Sequence, residues 1–458
     1  MHVLLPSHPP DALHLPDDPA ELRSEIKQYL ASQREQLALE LSSPALGGLG
    51  AAKAWSRALD ALLVALWRKV EARMRSEGRW VPLELGAVGS YGRGALSFHS
   101  DLDVRILCAG NPEAAAPFAE ALLYPLWDAG ATIGHQVVTV PQMLGLAATD
   151  LPTATTLLDW RPIAGDQTLI KKMFAEAFEG MFGIGRVQEF LDRLEQRTAE
   201  REERFGGSVY LLEPDVRNGP GGLRDLDVAQ WVGRARWQSG SLQDLVRLGV
   251  LVPRERTPID EARSFIWRVR NLLHLQAGRR MDRLSFDRQE LVAEQLGLGT
   301  GAEAVERMMS EYYRHARTLQ QVRETIFSKA QPPPTRRPHE VSLGRGLKLI
   351  NGELTLAYPG ALESDPAMAL RLYVEALRRG CKVYPFARNS IARAATHPDF
   401  GERLRQSPEA AEDFLRLLCH IPVAPLRAGS VLRELHDVGL LTAMIPEFLP
   451  VIGRVQHD

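Results

Sequence analysis

Cysteine is scarce: Cys108, Cys381 and Cys419 are the only three in 458 residues. Scattered so widely, they offer neither a disulfide framework nor metal-ligand spacing, and the expected setting is a reducing cytoplasm. No apolar run approaches the roughly 20 residues of a membrane span, so no membrane association is expected. Residues 1–18 hold no Lys or Arg and are broken by Pro6, Pro9 and Pro10, so they do not read as a signal peptide. A surplus of either charge is also missing. With a net charge of −2 and a pI near 6.7, the chain shows no general nucleic-acid or anionic-membrane surface. No internal repeat is visible. What is present suffices for sizeable cores: 45% hydrophobic and 24% charged residues, with a length that suggests about three domains.

The chain is organised around Gly89-Ser90-Tyr91-Gly92-Arg93-Gly94 and Ser100-Asp101-Leu102-Asp103. Residues 81–88 form an apolar run long enough for one buried strand. The small residues that follow let a backbone approach an anionic ligand closely. Asp101 to Cys108 reads as a second strand, and strand side chains alternate faces. Asp101, Asp103 and Arg105 therefore share one face, and Leu102, Val104, Ile106 and Cys108 the other. Two carboxylates about 7 Å apart on a strand can hold one or two magnesium ions, which favour carboxylates together with substrate phosphates. An Asp-x-Asp or a Gly-Ser turn alone is more often structural. The full combination resembles the nucleotidyltransferase superfamily, with its Gly-Ser, Arg and Asp-x-Asp signature.

Taken in order, residues 1–18 read as a loose leader, and Asp18 can cap a helix with Glu21 at its third position. Helical periodicity runs through Leu22, Ile26 and Leu30 and returns from Ala51 to Ser76, with the Gly-rich segment 46–50 between. Residues 1–80 form a helical entry and 81–166 the nucleotidyltransferase core. Within that core, residues 113–128 read as helix, 131–140 as a third strand and 149–166 as helix again. A third carboxylate is expected on the third strand of such a fold, but residues 131–140 hold none. Asp128 and Asp159 are the nearest candidates. Residues 167–330 are helical by pattern except for 211–226, whose three glycines and two prolines cannot be helix interior. Asp225 lies near the start of the next helix, where anions are favoured, and Arg217 and Arg224 add charge. A salt-bridged turn between helices accounts for the same residues equally well. Residues 265–274 read as opening a helix, with His274 a packed core histidine. Arg279, Arg280 and Arg283 can reach phosphates or sit in ordinary ion pairs. Residues 331–338 read as an exposed Pro-rich linker. Residues 331–458 combine that linker with an Asn351-Gly352 hairpin over 347–356 and further helices. The expected fold class is α+β, a small mixed-sheet core embedded in a mostly helical chain.

Four stretches carry a closer resemblance. They are residues 89–94 with 100–103; Leu126-Trp127-Asp128 with Ile133-Gly134-His135; Glu213-Pro214-Asp215 with Asn218-Gly219-Pro220-Gly221-Gly222-Leu223-Arg224-Asp225; and residues 283–289. Together they resemble the N-terminal part of the bifunctional PII uridylyltransferase/uridylyl-removing enzymes. The resemblance implies UMP transfer from UTP to a tyrosine hydroxyl of the PII nitrogen-regulatory protein, with release of pyrophosphate. It implies magnesium on Asp101 and Asp103, the catalytic pair. It also implies nucleotide contacts from Gly89, Ser90, Arg93, Asn218, Gly221, Gly222, Arg224 and Asp225. The expected partners are PII and UTP, with no nucleic acid. Two departures stand out. The family's usual Val-Gly-His-Ser-Val-Arg-Thr strand has Val138 in place of its Arg. The family also continues into an HD-type hydrolase and glutamine-sensing ACT domains, which are expected to be absent from this chain. His436-Asp437 imitates the HD pair, but only His420 upstream and the terminal Asp458 downstream are available to complete it, so it reads as a helix end. The alternatives are a catalytically impaired module that binds PII or nucleotide, and an adenylyltransferase acting on another protein, as in the adenylyltransferases of glutamine synthetase.

Overall fold

Asp18 starts the first helix in the way its position suggests. Its carboxylate accepts from the N–H groups of Ala20 and Glu21, both at 2.9 Å, satisfying donors that a first turn leaves open. The computed structural model describes residues 13, 15–41, 47–332, 339–358, 360–395, 397–419 and 430–451. Most of the leader and residues 42–46 lie outside them. Leu15, within the leader, is buried, and its carbonyl accepts from Lys69 at 3.1 Å. Helix α1 (Pro19–Leu41) packs on α2 (Gly47–Ser76). The glycines at 47–50 thus open α2 instead of separating two helices. The reason is distant in sequence: a Cβ on Gly48 would come within 1.9 Å of the Arg268 nitrogen.

Next come β1 (Leu83–Ala87), the single turn α3 (Gly89–Gly92), β2 (Leu102–Cys108), α4 (Pro112–Asp128) and β3 (Ile133–Val138). They are followed by α5 (Val140–Thr149), α6 (Leu151–Leu158) and β4 (Arg161–Ala164). The sheet order is β3-β2-β1-β4, with β1 antiparallel to both neighbours and β2 parallel to β3. The parallel pair needs a long crossover, which α4 supplies. Strand β4 corrects the expectation of helix through Asp166. Its four residues lie on β1, and Pro162 is tolerated because β4 is an edge strand.

One face of the sheet, through Leu85, Ala87, Leu102, Val104 and Ile106, buries with residues of α2 and α4 such as Leu62, Leu66, Phe118 and Leu122. On the other face, Leu107 and Val138 join a second core with Met143, Leu157 and Trp160. That second core covers the far end of β2, while its opening residues face polar groups. Val138, where the family pattern has Arg, is therefore a packing residue.

Helices α7 (Thr168–Glu179), α8 (Val187–Arg204), α9 (Leu223–Trp237), α10 (Leu242–Arg247), α11 (Pro253–Ala277), α12 (Phe286–Gln295) and α13 (Ala302–Ala330) belong to the same compact unit, which includes Gln331. Residues 265–274 lie in the second half of α11 and do not open a helix. His274 is fully buried, as expected of a core histidine.

A second compact unit spans Pro332–Arg454. Residues 333–338 of the expected linker lie outside the described residues. Strands β5 (Glu340–Gly344), β6 (Leu347–Ile350) and β7 (Glu353–Leu356) form an antiparallel sheet. Asn351 and Gly352 have φ of 52° and 84°, the left-handed pair a type I′ hairpin requires. Strand β5 was not expected; Arg345 and Gly346, at φ 49° and 77°, turn it into β6. His436 and Asp437 end the helix Val431–Asp437, while His420 and Asp458 lie outside the described residues. The chain is α+β.

Candidate active site

Asp103 sits on β2 directly opposite Gly134 of β3. A Cβ on Gly134 would come within 2.6 Å of one Asp103 oxygen, and a Cβ on Gly89 within 3.4 Å of the other. Two glycines from different elements thus leave the space that this carboxylate fills. Gly89 has φ +59°, the left-handed region, so the first turn after β1 favours glycine. The Val88 N–H donates to the Asp103 carbonyl at 3.0 Å and locks the turn to β2. Among the described residues no hydrogen bond or ion pair is made to the Asp103 carboxylate. Burial pushes its carboxyl up, against the nearby Arg105 guanidinium. Asp101 is half-exposed and 3.3 Å from Arg280. A pair of carboxylates with one already desolvated and set in a glycine-lined space suits a hard divalent cation, which would complete its shell from phosphate oxygens. No described residue of β3 adds a carboxylate. Asp128 is exposed at the end of α4.

Ser90 lies on α3 and Arg93 caps its end, placed differently from the expectation. Its guanidinium faces inward, where it pairs with Asp159 and with Asp227 at 2.8 Å, and it donates to the Ser90 hydroxyl at 3.2 Å. Asp159 also pairs with Arg234 at 2.7 Å. Arg93 is therefore committed to buried carboxylates and acts on the turn through Ser90. Asp159 is correspondingly closed to a metal: it is buried and held by two arginines.

The loop before α9 also corrects the expectation. Asp225 is fully buried; it pairs with Arg201 and with Arg323 at 3.2 Å, and accepts from the Gly221 N–H at 2.8 Å. It fixes the loop from inside the fold, with its carboxylate taken up by these partners. Gly221 has φ +74°, and a Cβ there would come within 2.4 Å of the Ala316 carbonyl on α13. A Cβ on Gly222 would come within 2.8 Å of the Arg217 carbonyl. These glycines serve close packing. Arg224 pairs with Asp227 at 3.2 Å and lies over Trp231, 5.3 Å from the ring centre. Asn218 is half-buried, its N–H held by Asp215 at 2.6 Å.

Residues 189–327, from α8 to α13, match the family model described as GlnD PII-uridylyltransferase. The chain belongs to this family. A bifunctional uridylyltransferase/uridylyl-removing enzyme of Cereibacter sphaeroides is 34% identical over 81% of the chain and 40% of its own length. Those of Gluconobacter oxydans and Ruegeria pomeroyi are 29% and 31% identical over 94% and 81% of the chain, covering 47% and 41% of their own lengths. The chain thus spans less than half the length of these relatives.

Within the family-matched span, two segments distant in sequence meet. Val216 donates to the Asp282 carbonyl at 2.8 Å, and Leu284 to the Pro214 carbonyl at 2.9 Å. Arg283 pairs with Glu213 at 2.6 Å, and the Gln289 amide donates to the Leu212 carbonyl at 2.7 Å. This bridge sets Asp282 between three partners: Arg270 at 2.7 Å, His274 at 3.1 Å and Arg280 at 3.4 Å. Burial pushes the Asp282 carboxyl up, but His274 and Arg270 hold it well below the usual range. Arg270 then donates to the Ser100 hydroxyl at 3.2 Å, and Arg280 reaches Asp101. The helical region thus presents arginines to the strand that carries the carboxylates. Sequence spacing gave no sign of this, although the Arg-rich segments at 279–283 and 217–224 are where it arises.

Proposed function

We propose that this chain transfers UMP from UTP to a tyrosine hydroxyl of a PII-type regulatory protein, releasing pyrophosphate. The observation that carries the reading is the Asp103 carboxylate, seated between Gly89 and Gly134 beside Asp101, in a chain of the uridylyltransferase family. Asp101 and Asp103 would hold magnesium; once bound, it supplies charge neutralisation for the phosphates. The α3 turn and Ser90 lie against the polyphosphate, and the arginines face it from the helical side. The phenolic oxygen bonds to the α-phosphorus as the bond to the β-phosphate oxygen breaks, and the phenol proton passes to solvent. The chain's contribution is positioning and a fixed electrostatic field.

Intact-mass analysis of a PII protein incubated with the chain, magnesium and UTP tests this, with ATP in a parallel tube. A uridylyl-sized gain with UTP alone is expected. A gain with ATP alone would move the assignment to adenylyl transfer. A second reading, a module that binds nucleotide or PII without turnover, is favoured by the lack of a carboxylate on β3 and the locked state of Asp159. Binding of UTP without any mass gain would select it.

Gly134→Ala gives a sharper check. The added methyl displaces the Asp103 carboxylate by about an ångström, and such misplacements cost on the order of 10²-fold in rate. Initial rates should fall by that factor, while the thermal melting curve moves little.

A further inference from the structure

Arg270 and Arg280 reach Ser100 and Asp101 from the helical region, Arg217 belongs to the same group of arginines, and the three are not equivalent. Arg270 and Arg280 each have a carboxylate: Asp282 for both, and Asp101 for Arg280 as well. Arg217 has none. Among the described residues no hydrogen bond or ion pair reaches its guanidinium, and its Nε is buried without a partner. Its backbone, by contrast, is held firmly. Its N–H donates to Asp215 at 3.0 Å, and its carbonyl accepts from Arg224 at 2.8 Å. Burial, with Arg270 and Arg224 next, pushes its pKa down to about 9. The neighbouring Val216 N–H is bonded to the Asp282 carbonyl, and Asp282 pairs with Arg280, which reaches Asp101; this chain of contacts links Arg217 to the carboxylate pair. A half-buried guanidinium with no ion pair, beside Arg270 and Arg224 as well as Asp282, keeps donors open to an anion. The planar fork of arginine suits a phosphate in particular.

We propose that Arg217 is the residue that receives the polyphosphate of the nucleotide, reaching it from the turn before α9 while Asp101 and Asp103 approach from β2. The assignment rests on the reading of the carboxylate pair as a nucleotidyl-transfer site. It makes the free protein's cost and the bound protein's gain two sides of one residue. Without ligand, repulsion from Arg270, Arg224 and Arg280 opposes attraction by Asp282; a triphosphate beside Arg217 adds attraction to all three arginines. Arg224, the other arginine that the sequence singles out in this loop, is instead occupied by Asp227 and Trp231.

Thermal melting of the wild type and of Arg217→Met, each alone, with tripolyphosphate plus magnesium and with UTP plus magnesium, tests the proposal. The variant alone should melt at the wild-type temperature or above, because no ion pair or hydrogen bond to the guanidinium is lost among the described residues. Tripolyphosphate and UTP should raise the wild-type melting temperature. Titration should show both binding Arg217→Met about 10–100-fold more weakly, the loss expected for a charge-assisted contact. Arg217→Lys should recover part of that loss, as a point charge without the fork. Equal shifts in wild type and Arg217→Met would overturn the role of Arg217 and leave the carboxylate site standing. A wild type stabilised by UTP but not by tripolyphosphate would also overturn it, since the base and sugar would then carry the binding. If neither ligand moves the wild type, the reading of the site itself fails, and the proposal with it.

Discussion

Asp103→Asn is expected to lower nucleotidyl transfer by at least about 10³-fold while leaving the folded chain as stable as before. The loss follows from charge. Asparagine keeps the shape of the side chain in the space between Gly89 and Gly134 but removes the anionic oxygen that a magnesium ion needs. Charge stabilisation of this kind is worth several kcal/mol, and each ~1.4 kcal/mol is tenfold in rate. The retained stability follows from the absence of any hydrogen bond or ion pair to this carboxylate among the described residues, together with the upward push that burial exerts on it. Removing a charge already held against its desolvation cost does not weaken the fold. Initial rates by intact mass, alongside thermal melting, check both halves. A variant that turns over within tenfold of the wild type would exclude Asp103 from the reaction.

Asp225→Ala should have the opposite signature: a large loss of stability, with lost activity only as its consequence. The carboxylate joins Arg201 of α8, Arg323 of α13 and the Gly221 N–H within one fully buried cluster. Arg323 keeps Glu202 at 2.5 Å, but the buried Nε and Nη1 of Arg201 already lack partners. Truncation leaves that guanidinium buried and uncompensated, which typically costs about 3–5 kcal/mol. A melting temperature lower by roughly 10 °C is the expected scale. Thermal melting of the variant, with and without saturating UTP, checks it. A variant as stable as the wild type but defective in UTP binding would return Asp225 to the ligand site.

These two residues separate what local sequence chemistry can place from what it cannot. Asp101 and Asp103 were legible because a strand alternates its faces, so two carboxylates two residues apart must share a side. The Asn351-Gly352 turn and the Asp18 cap were legible for a similar reason: the chemistry that fixes each lies within a few residues. The ion pairs of Asp225 and Arg93 were not legible, because an acidic residue near a helix start and an arginine after a glycine turn suit a phosphate site equally well. Their actual partners lie far along the chain, Arg323 98 residues from Asp225 and Asp159 66 residues from Arg93. Strand β4 was hidden because four residues carry too short a pattern to outweigh the helix before them, and only pairing with β1 makes them a strand.

The sequence by itself determined the α+β class, the strand–turn–strand unit and the pair of carboxylates on its polar face, since period-two alternation and glycine turns are local properties. Only the tertiary structure decided which charges are paired inside the protein and which, among the described residues, are not. Ion pairing depends on which side chains the packed helices bring together, and no spacing along the chain records that. Arg93, Arg224 and Asp225 were drawn into pairs, and among the described residues Arg217 was left without one.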